Sequence, residues 1–207
     1  MIVIVDYGMG NLKSVENACC LLGQKVKITD NRKVIASASA IIFPGVGHFA
    51  KAVKELQNRQ IFKTLKEKIK TGVPFLGICL GMQILFEESE EASGIKGLGI
   101  IKGKVKKFKL KNLCVPHMGW NQVKIKNQKL KIKNKGILKD IRDGSYFYFV
   151  HSYYCAPENK NVILATTNYG VEFVSVLHKD NIWAVQFHAE KSQKVGLKLL
   201  YNFFKLC

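Results

Sequence analysis

From its first residues to Ile78 the chain alternates short apolar runs with stretches of helical periodicity: Ile2 to Val5, Leu12 to Leu22, Val26 to Thr29, Ala40 to Phe43, Phe49 to Ile69 and Phe75 to Ile78. Regular exchange of buried strands with helices is the pattern of βαβ units around a parallel sheet. The expected fold class is α/β, a mainly parallel central sheet flanked by helices. Between Gly97 and Leu177 the pattern turns to hairpin-like strands, an antiparallel excursion in the C-terminal half with no domain boundary. From Glu190 to Leu206, apolar Val195, Leu199, Leu200 and Phe203 recur at helical spacing and close the unit. A chain of 207 residues that is 47% hydrophobic can bury one large core, so residues 1–207 are read as a single domain. In such sheets ligands bind beyond the carboxyl ends of the strands. Asp6-Tyr7-Gly8, Pro44-Gly45 and Cys79 all fall at strand ends and should converge.

Gly77-Ile78-Cys79-Leu80-Gly81 sits between apolar Val73-Pro74-Phe75-Leu76 and helix-like Met82-Gln83-Ile84-Leu85-Phe86. A strand that ends in a sharp turn and enters a helix at once holds the turn residue's side chain exposed, and small neighbours leave room for the strained backbone. That residue is Cys79. A helix N-terminus stabilises a thiolate, and the next backbone N–H, that of Leu80, points where an oxyanion would form. Free cysteine usually serves as a small core hydrophobe, which is the reading for Cys19, Cys20, Cys114, Cys155 and Cys207. At Cys79 the glycines on either side serve the turn and no packing purpose.

A nucleophile needs a base. Of the five histidines, only His188 has a setting that itself suggests catalysis, in Phe187-His188-Ala189-Glu190 after the strand-like Trp183-Ala184-Val185-Gln186. Residues i and i+2 of a strand share a face, so Glu190 can orient the imidazole and stabilise its charged form. His188 would take the proton of Cys79 and later return it to a leaving amine.

Four segments extend the pattern: Pro44-Gly45-Val46-Gly47, the elbow through Met82-Gln83, Val115-Pro116-His117-Met118-Gly119-Trp120-Asn121, and Tyr148-Phe149-Val150-His151-Ser152-Tyr153. With Asp6-Tyr7-Gly8-Met9-Gly10-Asn11, Gln186-Phe187-His188 and Lys191-Ser192-Gln193, the chain resembles the class I, triad-type glutamine amidotransferases over essentially its whole length. Within them it is similar to the glutaminase subunits of imidazole glycerol phosphate synthases. The resemblance implies hydrolysis of glutamine through a cysteinyl thioester, with Cys79, His188 and Glu190 as triad. It implies an oxyanion hole at Leu80 and in the glycine loop at Val46 and Gly47, and glutamine held by Gln83, His151, Ser152 and Tyr153. Gly-rich loops reorient their peptides at little steric cost, so a flip of this loop would keep the enzyme idle until its partner is loaded. A β-branched residue at Gly45 or Gly47 should then abolish partner stimulation.

The resemblance also implies a partner, a separate (β/α)8 cyclase forming a heterodimer with this chain. The cyclase would use the ammonia on a phosphoribosyl-formimino carboxamide nucleotide, yielding imidazole glycerol phosphate in histidine biosynthesis and a ribotide for purine synthesis. Asn11, Trp120, Tyr148 and Lys191 would face it, and Lys191, next to Glu190, would link docking to triad geometry. A paralogue supplying ammonia to a sugar amidotransferase of surface-polysaccharide assembly shares the same motifs, and a binding protein with a dead site is a third reading. Ala189 departs from the pattern, which has proline there; the loss is one of rigidity. His117 and His151 fall in segments where contact with substrate or partner is implied, while His48, near a helix start, and His178, before a turn, need no chemistry.

No cofactor is expected. Gly8-Met9-Gly10 follows a strand, but the third glycine of a dinucleotide fingerprint would fall at Lys13, so these residues are read as a turn. Six cysteines without Cys-x-x-Cys spacing argue against zinc and against a disulfide framework. The start Met1 to Asp6 lacks the features of a signal peptide, no apolar run is long enough for a membrane helix, and a reducing cytoplasm is the expected location.

The net charge of +18 is unevenly placed, with no acidic residue between Glu91 and Asp140. Lys102, Lys104, Lys106, Lys109, Lys111, Lys124, Lys126, Lys129, Lys131, Lys133 and Lys135 alternate with apolar or small polar residues. On strands this gives solvated lysine faces. Docking toward an acidic partner is a functional reading; nucleic acid is weaker, because stacking aromatics do not interleave with the lysines and only Arg32, Arg59 and Arg142 are arginine.

Overall fold

The computed structural model describes residues 1–126 and 136–207. Strands β1 (Ile2–Val5), β2 (Val26–Thr29), β3 (Ala40–Gly45), β4 (Phe75–Cys79) and β13 (Ile182–Val185) form the parallel half of a nine-stranded sheet, in the order β2-β1-β3-β4-β13. Their side chains divide between two cores by simple alternation. Ile2, Ile4, Ile42, Leu76 and Ile78 pack with α1 (Leu12–Leu21) and α6 (Gln193–Phe204) through Val15, Cys19, Leu199 and Phe203. Val3, Val5, Ile41, Phe43 and Phe75 pack on the other face with α3 (Phe49–Asn58) and α4 (Ile61–Lys70) through Val53, Leu56, Leu65 and Ile69. The α/β class read from the apolar runs is the one observed.

Several boundaries differ from the sequence reading for local reasons. The run Phe49 to Ile69 is two helices, because Gln60 takes the left-handed conformation at φ 58° and breaks the hydrogen-bond ladder. A short α2 (Arg32–Ala36), capped by Asn31, gave no apolar period to detect. The closing helix starts at Gln193, whose φ of 51° separates it from the turn before.

The antiparallel part is divided between two sheets. Beyond β13 the large sheet continues through β12 (Val171–Lys179), β11 (Ile163–Tyr169), β8 (His117–Ile125) and β9 (Ser145–His151), all in antiparallel pairs. A second sheet has the order β10-β7-β5-β6, from Tyr153–Pro157, Ile101–Lys107, Phe86–Ser89 and Ala92–Lys96, with β5 and β7 parallel. Lys102 and Lys104 of β7 point to solvent, as do Lys109, Lys111, Lys124 and Lys126, while Lys106 is half-buried. Lys126 pairs with Glu172. Lys129, Lys131, Lys133 and Lys135 lie outside the described residues.

The parallel pairing fixes the site. Gly45 is level with Cys79, and Val185 with Ile78. The ends of β3, β4 and β13 therefore lie side by side.

Candidate active site

β4 runs directly into α5 (Leu80–Gln83), and the junction residue Cys79 is held at φ 56° and ψ −110°. Such a backbone persists only where its surroundings determine it. A Cβ on Gly77 would lie 2.7 Å from the Gly81 carbonyl oxygen, and one on Gly81 would overlap the Phe43 carbonyl oxygen of β3. Only hydrogen fits at both places, so the glycines permit the turn that presents Cys79. The helix-like run Met82 to Phe86 is helical only to Gln83, since Phe86 already belongs to β5. One helical turn carries little macrodipole, so any anion stabilisation at its start would fall to its individual N–H groups.

His188 follows β13, and Glu190 lies in the 3₁₀ turn Ala189–Lys191. Their spacing works through that turn, and not through strand alternation as the sequence suggested. The His188 Nδ1–H donates to Glu190 Oε1 at 2.7 Å, with both side chains 3% exposed. Burial opposes a charge on the ring, but the Cys79 sulfur and the Glu190 carboxylate outweigh it and push the imidazole up to about 10. Nε2 is buried and makes no hydrogen bond among the described residues, which leaves it free to serve the Cys79 sulfur. A cysteine beside an imidazole that a buried carboxylate orients is a nucleophile with its base in place.

The turn is tied down by Ser192, whose hydroxyl donates to the His188 carbonyl at 2.6 Å and whose N–H donates to the Ala189 carbonyl at 3.1 Å. Ala189 sits at the first position of the turn, and His188 before it is extended at φ −89° and ψ 96°, outside the helical region that a following proline disfavours. Ala189→Pro should therefore stabilise the chain by about 0.4–1 kcal/mol, by restricting the unfolded state, without loss of activity. A thermal midpoint raised by about 1–4 °C is the expected result; a lowered one means that the turn rejects the ring.

A pocket of about 300 Å³ opens on Cys79, lined by Val46, Gly47, Leu80, Gln83, Glu91, Pro116, Val150, His151, Ser152 and Tyr153. The structure thus gathers the sequence candidates for nucleophile, oxyanion and substrate into one cavity. A larger groove of about 1230 Å³, between α3 and the β5–β6 hairpin, contains none of them. The glycine loop is walled from behind: a Cβ on Gly45 would overlap the Tyr7 hydroxyl, and one on Gly47, at φ 103°, would lie 2.8 Å from Met9 Cε.

Two residues escaped the sequence reading. Glu91 enters the pocket with its Oε2 accepting the Phe49 N–H at 2.7 Å, and Gln186, fully buried, donates from Nε2 toward Cys79 Sγ at 3.7 Å. Glu91 is the last acid before the acid-free stretch, a signal that could have marked it. Gln186 had only its place two residues before His188.

His151 lines the pocket, but its ring is turned inward. Nδ1 bonds the Tyr153 carbonyl at 2.8 Å and Nε2 bonds His117 Nδ1 at 3.0 Å. His117, expected at substrate or partner, is 2% exposed and stacked on Tyr169 and Phe149, so it touches neither. Burial holds His117 down at about 4 and, helped by the neighbouring His117 and His188 against the pull of the Tyr153 carbonyl, His151 at about 3. Both folded values lie below the ordinary 6.5, so the unfolded chain takes up these protons first as pH falls. The stability they contribute is complete above about pH 6.5 and is lost as pH drops toward 4 and 3. The thermal midpoint should fall from pH 6.5 to 4, and less steeply in His117→Gln; identical slopes would exclude a buried neutral His117.

Trp120, Tyr148 and Lys191 share a patch, with the two aromatic rings 6.1 Å apart and Lys191 Nζ 5.9 Å from the Tyr148 ring centre. Exposed Met118 and Tyr146 continue it along β8 and β9. Asn11 is exposed and caps α1, its side chain accepting the Ser14 N–H at 3.2 Å. His48 caps α3, and His178 stacks on Trp183 and bonds the Asp180 carbonyl, so neither is part of the site. Cys19 and Cys155 are buried as expected of core cysteines, whereas Cys20, Cys114 and Cys207 are exposed, because they lie on an outer helix face, a loop and the terminus.

The family model for class-I glutamine amidotransferases matches residues 3–207 of this sequence. The chain belongs to that family. It is 51% identical, over the full length of both chains, to the imidazole glycerol phosphate synthase subunit HisH of Methanocaldococcus jannaschii. It is 46% identical to the subunit of the same name from Aquifex aeolicus, over 97% of this chain and 94% of that one. A solved structure described as a glutamine amidotransferase superposes with a TM-score of 0.76 at 17% identity, covering 100% of this chain and 98% of that one, and so bears out the fold. In this amidotransferase no helix among the described residues is long and apolar enough to cross a membrane.

Proposed function

We propose that this chain is the glutaminase subunit of an imidazole glycerol phosphate synthase, with Cys79 as nucleophile, His188 as acid and base, and Glu190 as the carboxylate that orients it. The observation that carries the chemistry is the strained Cys79, beside the buried His188–Glu190 pair, in the lining of a pocket of about 300 Å³. Whole-length identity to relatives named as HisH subunits supports the assignment to that synthase.

The sulfur attacks the carboxamide carbon of glutamine, and the oxyanion that forms is met by the N–H groups of Leu80 and of the Val46–Gly47 loop. His188 gives its proton to the departing nitrogen, releasing ammonia and leaving a thioester on Cys79. It then takes a proton from the water that hydrolyses the thioester to glutamate. Glu91 is the carboxylate placed for the α-ammonium group. Gln83, with both amide hydrogens held by Tyr153 and Gln186, offers its oxygen. His151, Ser152 and Tyr153 contribute pocket wall and backbone.

The ammonia is passed to a cyclase subunit, bound as a heterodimer on the face bearing Trp120, Tyr148 and Lys191 with Asn11 at its edge. Aromatic residues suit a contact that excludes water while ammonia crosses. All of residues 1–207 act as one amidotransferase unit, and the free thiols fit a reducing cytoplasm. The test is product formation by a histidine-pathway cyclase. With this chain present the cyclase should use glutamine as nitrogen source, and without it only ammonium salts. Glutamine hydrolysis that needs Cys79 but never supplies the cyclase would contradict the assignment.

A further inference from the structure

A buried hydrogen-bond chain runs from the inner face of β8 to the nucleophile, and its direction follows from the acceptors alone. His151 Nδ1 faces the Tyr153 carbonyl, which can only accept, so Nδ1 carries the proton and Nε2 is left as an acceptor. His117 must then donate from Nδ1 to that Nε2, which leaves its own Nε2 to accept from Asn121 Nδ2 at 3.2 Å. The Asn121 amide is oriented in turn, with Oδ1 accepting the Gln122 N–H at 2.8 Å and Nδ2 also donating to the Asn168 carbonyl at 2.9 Å. On the near side, the Tyr153 carbonyl accepts a second bond from Gln83 Nε2 at 3.1 Å. Gln83 also donates to Gln186 Oε1 at 3.2 Å, which turns the Gln186 amide nitrogen toward Cys79 Sγ. No member can be rotated without leaving another unpaired, and a buried polar group left unpaired is destabilising.

β8 carries this chain on one side and the docking residues on the other. His117 and Asn121 alternate along the strand with Met118 and Trp120, which are 62% and 46% exposed. β9 repeats the arrangement, with His151 inward and Tyr148 in the outer patch. We propose that His117, His151 and Gln186 are positioning residues through which a partner seated on the outer face of β8 and β9 sets the alignment of Cys79. The inference rests on the cyclase reading above. A small shift of β8 on docking moves His117 and Asn121 with it, and the bonded chain, which has a single satisfied arrangement, carries the change to the donor at the sulfur.

The test uses His117, which lies outside the pocket. His117→Phe keeps the stack on Tyr169 and Phe149 but can neither donate nor accept, while His117→Gln can do both. Glutamine hydrolysis is measured for each variant, alone and with a histidine-pathway cyclase at saturation, together with the affinity of the complex. His117→Phe should lower the stimulated kcat about tenfold, with basal kcat, KM and complex affinity within about twofold of wild type, and His117→Gln should recover most of the loss. Nitrogen-15 spectra of the wild-type chain should show both rings neutral and protonated at Nδ1. Full stimulation of His117→Phe in an intact complex, equal losses of basal and stimulated rates, or rings protonated at Nε2 would each overturn the inference. A wild-type chain that the cyclase does not stimulate would overturn the cyclase reading itself.

Discussion

Glu190→Gln should lower the glutaminase kcat by about three to four orders of magnitude, by analogy with the loss of the orienting carboxylate in a serine triad. The reasoning starts from burial. Both members of the His188–Glu190 pair are almost sealed from water, so solvent cannot offset a charge on the imidazole. The carboxylate and the sulfur together hold the ring protonated against that burial. An amide of the same shape keeps the hydrogen-bonded geometry through its oxygen and removes only the charge. Glu190 does not line the pocket, so KM for glutamine should change little. The rate at which iodoacetamide alkylates Cys79 near neutral pH should fall with kcat. An unchanged alkylation rate alongside the lost activity would place the role of Glu190 in a later step.

Gly81→Ala is expected to cost about 3 kcal/mol or more, at the upper end of overpacking effects, and to abolish the site. The added methyl would overlap the carbonyl oxygen of Phe43, which belongs to the central strand β3 and cannot withdraw. Relief requires α5 to move away from β3, which dissolves the turn that strains Cys79. Gly72 makes the contrast: its φ is 88°, but a methyl there meets nothing within 4 Å, so alanine at 72 should cost only backbone strain of about 1–2 kcal/mol. Chemical denaturation of the two variants side by side reads the difference. Equal losses would mean that the elbow is less tightly packed than its geometry indicates.

What could be read in advance was what rests on local pattern. Ile2 to Val5 and Phe75 to Ile78 are apolar runs because they are buried on both faces, and that pattern alone located these two parallel strands. The glycines around Cys79 announced the elbow because no other residue fits there. Long-range pairing left no such trace. Nothing around Phe86 indicates that the helix after the elbow stops at one turn, since β5 exists by virtue of β7, which follows it in the chain. Gln60 breaks a continuous helical period through its own backbone conformation, which hydrophobic spacing does not record. His188 and Glu190 were paired for the wrong reason, strand alternation in place of a 3₁₀ turn, yet the separation of two residues suffices in both geometries. Gln186 and the inward rings of His117 and His151 were invisible as a unit, because their connection crosses from β8 and β9 to β4 and β13 in space alone.

The most direct test of the central claim is mass spectrometry of the chain quenched in acid while it turns over glutamine with the cyclase present. A glutamyl adduct on the peptide containing Cys79, formed together with glutamate and absent from Cys79→Ala along with the activity, is the predicted result. Glutamate release at the wild-type rate by Cys79→Ala would contradict the account.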